Sequence, residues 1–77
     1  MHTRHTEIRL QPAHPRCYHD AEYVVECWEY GKLIATIPCG EHSRHYADSI
    51  ANNWFCGVLT VDKIDSAHLT SHAAYAV

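Results

Sequence analysis

Histidine and cysteine are the side chains in this chain with the most chemistry to offer. Eight histidines stand at positions 2, 5, 14, 19, 42, 45, 68 and 72, and four cysteines at 17, 27, 39 and 56, in 77 residues. The spacing Cys39-x2-His42-x2-His45 is the one that most resembles a metal set, because zinc takes thiolate and imidazole ligands at tetrahedral geometry. A strand-end cysteine and two histidines near a helix start could supply three of four ligands, and Cys17-x-His19 offers further donors. Two observations count against it. The chain has no Cys-x2-Cys pair, and His42 and His45 are closer together than the usual His-x3–5-His spacing. The expectation is therefore no metal or other cofactor, with a small zinc module as the alternative.

Catalysis finds less support. A cysteine nucleophile needs a base beside it. Cys56 has none nearby in sequence, and Cys27 alternates with Tyr23 and Val25, which reads as a core thiol. Glycine occurs only at 31, 40 and 57, where each has a turn or cap role, so no phosphate-cradling loop can be built. The chain is not expected to be an enzyme.

The elements that position these residues lie between Glu22 and Gly57. Two runs rich in β-branched and aromatic residues flank Gly31, which signals a β-hairpin. Two registers are open. A two-residue turn at Tyr30-Gly31 pairs Glu29 with Lys32 and places Glu26 beside Val24, Trp28, Leu33, Ala35 and Ile37. A three-residue loop, Glu29-Tyr30-Gly31, pairs Trp28 with Lys32. It collects Tyr23, Val25, Cys27, Leu33, Ala35 and Ile37 on one apolar face, leaving Glu22, Val24, Glu26, Trp28, Lys32, Ile34 and Thr36 on the other. The second register is preferred, since the first buries Glu26 without a partner.

From Ser43 to Gly57, Tyr46, Ala47, Ile50 and Trp54 form one stripe of a helix. Ser43 is a suitable N-cap and Gly57 a suitable C-terminal cap. Upstream, Thr6 to Gln11 alternates as a half-buried strand, and the prolines at 12 and 15 end it. Downstream, Val58 to Val61 reads as another strand. Residues 66–77 read as a short helix, capped by Asp65 or Ser66, or as a tail. The expected fold is α+β: one domain over 1–77, with residues 1–5 flexible. An antiparallel sheet of three to four strands carries one main amphipathic helix on one face.

Composition narrows the function. The formal charge is −3, and six Lys and Arg are scattered rather than clustered, which disfavours direct nucleic-acid binding. No apolar run reaches membrane-spanning length, and the N-terminus lacks a signal-peptide core. The expected location is the cytoplasm, with free thiols. The outer hairpin face offers the most suggestive surface. Trp28 stands there with Val24 and Ile34, near Glu22, Glu26 and Glu29, as an aromatic anchor with a charged rim would. These four residues, Glu22, Glu26, Trp28 and Glu29, are the expected partner contact.

The run Val25-Glu-Cys-Trp-Glu-Tyr-Gly-Lys-Leu-Ile-Ala-Thr-Ile-Pro38, followed by Tyr46-Ala47-x2-Ile50-Ala51-x2-Trp54-x2-Gly57, resembles the small hairpin-plus-helix proteins of phages and mobile elements, among them anti-CRISPR proteins. That resemblance implies a non-enzymatic inhibitor that covers a surface of a CRISPR-Cas effector or nuclease. A regulatory homodimer, through the hairpin edge or the Trp28 face, is a further alternative.

Overall fold

The computed structural model describes residues 3–12 and 21–70. Three strands form one antiparallel sheet in the order β1-β2-β3: β1 is Arg4–Pro12, β2 Ala21–Glu29 and β3 Lys32–Pro38. A single helix, α1, spans Arg44–Phe55 and packs against β1 and β2. The α+β class and the sheet with one helix on one face are as the periodicity implied. β1 begins at Arg4, before the alternation of Thr6 to Gln11. Residues 13–20, the expected loop with Cys17 and His19, and residues 71–77 of the expected terminal helix or tail, lie outside the described residues.

The helix sits where the apolar stripe predicts. Of that stripe Tyr46 is instead 42% exposed, while Ala47 and Trp54 are buried and Ile50 partly so, with Ala51 buried beside them. They meet Val25, Cys27, Ala35 and Cys39 from the sheet, and Ile64 completes the cluster. Trp54 is the largest fully buried side chain. Its indole N–H donates to the Trp28 carbonyl at 3.0 Å, which ties helix to sheet by a specific bond as well as by area. Ser43 is the N-cap residue, though its hydroxyl makes no capping bond, and Gly57 takes φ 83° just beyond the Cys56 C-cap.

Arg4 closes the C-terminal end of the helix. Its Nη1 donates to the Trp54 and Leu59 carbonyls at 3.2 and 2.9 Å, its Nε to Glu29 at 2.8 Å, and its guanidinium lies 3.9 Å above the Trp54 ring. A cation at a helix C-terminus complements both the carbonyls that point out of the last turn and the dipole.

The hairpin combines features of both expected registers. Its turn is Tyr30-Gly31, with Glu29 opposite Lys32 and Trp28 opposite Leu33. Tyr30 at φ 52° and Gly31 at φ 75° both have the positive φ of a type I′ turn. The expected three-residue loop is therefore not formed, and Leu33 joins the Trp28 side. A register shift between Cys27 and Trp28 then leaves Ile34 as an extra residue on β3. Beyond it Cys27 faces Ala35 and Val25 faces Ile37, so the apolar set forms on the helix side after all, with Ile34 in place of Leu33. The bulge reconciles a tight turn with an apolar face.

The segment 58–61 is not a strand. The Leu59 N–H bonds to Asn53 at the helix end and its carbonyl accepts from Arg4, so its backbone is satisfied without a sheet. Single 3₁₀ turns follow at Val61–Lys63 and Ser66–His68, the second capped by Asp65, whose carboxylate accepts from the Ala67 N–H at 3.0 Å. Leu69 then bridges to Ala35, and Thr70 bonds to Ile34 and Leu33 along the outer edge of β3.

Candidate interaction surface

The four residues expected around Trp28 do not form one exposed rim. Glu22 and Glu26 are buried, at 7% and 9% exposure, on the face away from the helix. Glu26 pairs with Arg9 at 2.7 Å across β1, and Glu22 accepts from Gln11 at 3.2 Å. A buried carboxylate needs such partners, since desolvation without them is costly. Glu29 alternates to the helix side and is held by Arg4. Trp28 is half-buried. Its ring stacks on His5 with centroids 5.4 Å apart, and its Nε1 is buried with no hydrogen-bond partner among the described residues. Val24, on the same face, is fully buried. The acids thus support the sheet rather than ringing an aromatic, and the ring of three acids that alternation suggested is corrected to two on that face.

The Cys39, His42 and His45 set is likewise spread out. Cys39 is buried in the main core, where burial and then the nearby Glu22 carboxylate push its thiol above the usual range. His42 and His45 are exposed, and His42 stacks on Tyr46 at 3.9 Å. Among the described residues no three His, Cys, Asp or Glu side chains gather as a metal would require. Cys27 is fully buried and its thiol is pushed up to about 11 by burial, with Arg4 opposing. Such a thiol stays protonated and unreactive at neutral pH. Cys56 is exposed.

The most prominent surface lies instead at the hairpin tip. Tyr30 is 76% exposed, and its N–H donates to the Thr3 carbonyl at 2.8 Å. Thr3 and Arg4 line a shallow groove of about 250 Å³ with Phe55, Cys56 and Gly57 from the helix end. Phe55 is 40% and Val58 58% exposed. Phe55 thus lines the groove itself, and Tyr30 is tied to it through Thr3.

Sequence reasoning saw Tyr30 only as a loop residue. The signal was present: Tyr-Gly occupies a two-residue turn whose first position strongly prefers Asn, Asp or Gly. Arg4 and Arg9 carried no local signal, because their partners lie across strands. No helix among the described residues is long and apolar enough to cross a membrane. Comparison with protein-family models, curated proteins and solved structures finds no match.

Proposed function

We propose that this chain is a non-enzymatic protein-binding domain that inhibits a host complex by covering one of its surfaces, in the manner of anti-CRISPR proteins, and that Tyr30, Phe55 and Val58 make the contact. One observation carries the location. Tyr30 is a large aromatic held at φ 52° and presented to solvent at 76% exposure. A β-carbon in the left-handed region costs on the order of 1–2 kcal/mol, and Asn or Gly would form the same turn with less strain. The fold gains little from a tyrosine there. A residue that breaks a local rule without a packing benefit marks a functional position, and tyrosine is enriched among interface hot spots.

The choice of an inhibitor of a CRISPR effector rests on the resemblance of the hairpin and helix runs to anti-CRISPR proteins. Trp28, two residues before Tyr30, stacks on His5, while Glu22 and Glu26 hold β1 to β2 through Gln11 and Arg9. The test is affinity capture from lysates of bacteria with defined CRISPR-Cas systems, followed by mass spectrometry. Recovery of the subunits of one effector by wild-type protein, and their loss with Tyr30→Asn, is the expected result. Equal recovery by both proteins would remove the hairpin tip from the contact. Capture of no effector subunit from any system would remove the anti-CRISPR reading.

A further inference from the structure

β1 ends the sheet. No described strand lies along its outer edge, whereas the outer edge of β3 is partly closed by Leu69 and Thr70. A nine-residue open edge is a pairing template that proteins usually block. The bond from the Tyr30 N–H to the Thr3 carbonyl fixes which groups are available. Peptide groups alternate between neighbours in an antiparallel ladder. With Thr3 turned toward β2, the odd-numbered residues of β1 bond inward and the peptide groups of Arg4, Thr6, Ile8 and Leu10 point outward. Leu10, at 63% exposure, is the most exposed aliphatic side chain on this strand.

The charges on this edge are self-complementary. Glu7 and Arg9 flank Ile8 on the face away from the helix. Glu7 stands directly opposite the buried Glu26, an unfavourable neighbour for it. It has no ion-pair partner among the described residues. Arg9 spends one nitrogen on Glu26, is 57% exposed, and keeps other donors.

We infer that β1 pairs antiparallel with β1 of a second copy of this chain about a two-fold axis at Ile8, joining the two three-stranded sheets into one. In this register Thr6 bonds to the partner's Leu10, Ile8 to the partner's Ile8, and the Arg4 N–H to the carbonyl of the partner's Pro12, which has no donor to offer. Glu7 falls against the partner's Arg9, and Arg9 against the partner's Glu7. Both are non-hydrogen-bonded pairs, where side chains stand closest. Moving the axis to Glu7 or Arg9 places like charges together, and moving it to Thr6 or Leu10 shortens the overlap. The exposed Leu10 is covered, and each Glu7 gains a cation directly opposite it. Both helices lie on one face, about 10 Å apart if each sits between its β1 and β2, a distance at which helices pack.

The inference concerns the chain alone and is independent of the inhibitor reading. It is tested by sedimentation equilibrium on the full untagged chain from micromolar to millimolar concentration, with amide hydrogen exchange by NMR. The expected result is a species of twice the 8.8 kDa chain mass. Its Thr6, Ile8 and Leu10 amides should exchange slowly at high concentration and quickly on dilution. Glu7→Lys should weaken the dimer about tenfold or more, because two attractive cross-strand pairs become repulsive. Its folding should be undisturbed, since the new lysine faces Glu26. Leu10→Pro, which deletes an outward donor and spares the β1–β2 ladder, should be monomeric. A monomer throughout the range would overturn the inference, as would a dimer whose Thr6, Ile8 and Leu10 amides stay unprotected or whose dissociation constant ignores Glu7→Lys.

Discussion

Tyr30→Asn separates what the hairpin tip does for the fold from what it does for a partner. Two effects oppose each other in the wild-type turn. The tyrosine sits at φ 52°, where its β-carbon is disfavoured, and it is 76% exposed, so little of its ring is buried in return. Asparagine tolerates the left-handed region several-fold better than most residues. The small apolar area that the ring does bury stabilises the fold by about 0.5 kcal/mol at ~25 cal/mol per Å², against a backbone relief of about 1 kcal/mol on replacement. The net expectation is a stability change between about 0 and +1 kcal/mol. Tyr30→Ala removes the same ring but keeps a poorly tolerated β-carbon at positive φ, so the difference between the two variants isolates the backbone. That difference should be about 0.5–1 kcal/mol in favour of Asn, or ~2–8 °C in Tm for a domain of this size. Urea unfolding and thermal melting of the three proteins provide the assay. If Tyr30→Asn melts well below wild type and alongside Tyr30→Ala, the tyrosine is structural and its position no longer marks a contact.

Trp54→Ala should cost roughly 3–5 kcal/mol, since it empties the largest fully buried site and removes the indole bond to the Trp28 carbonyl; a loss under about 1 kcal/mol in urea would mean that α1 is not the second layer of the core. The Cys27 thiol has a pKa of about 11 in the folded chain against an ordinary 9.0, so folding favours the protonated form. Its contribution is full below pH 9 and is lost as pH rises toward 11, by up to about 3 kcal/mol. Wild type should lose that much more than Cys27→Ala over this window, and parallel pH curves would refute the assignment. Untagged protein is expected to carry no stoichiometric zinc after dialysis; one equivalent by elemental analysis, absent from Cys39→Ser, would restore the zinc alternative.

The parts of the fold written in periodic patterns were legible in the sequence. The stripe of Tyr46, Ala47, Ile50 and Trp54, all but the exposed Tyr46, and the alternation of Tyr23, Val25 and Cys27 placed helix and sheet face correctly, because burial acts on every third or fourth residue of the one and every second of the other. The hairpin register was harder. Avoiding a buried, unpaired Glu26 pointed to the right apolar face but the wrong turn, because a bulge at Ile34 and an ion pair from Arg9 resolve the conflict instead. Both are long-range solutions that local sequence does not display. Val58 to Val61 had strand-like composition, but its backbone was claimed by Asn53 and by Arg4, the latter some fifty-five residues away in sequence. The charged rim expected around Trp28 was misread for a related reason: alternation located Trp28 and the acids, whereas pairing across strands decided that Glu22 and Glu26 would be buried.

The central claim is that the hairpin tip inhibits a CRISPR effector, and phage plating tests it most directly. Bacteria immune to a phage through one defined CRISPR-Cas subtype would express wild-type chain or Tyr30→Asn, with matched folded levels checked by melting of the purified proteins. Wild type is predicted to restore plaque formation by several orders of magnitude in at least one subtype, and Tyr30→Asn, equally folded, is predicted to leave immunity intact. Plating that stays blocked by immunity across a panel of subtypes, or that is restored equally by both proteins, would contradict the claim.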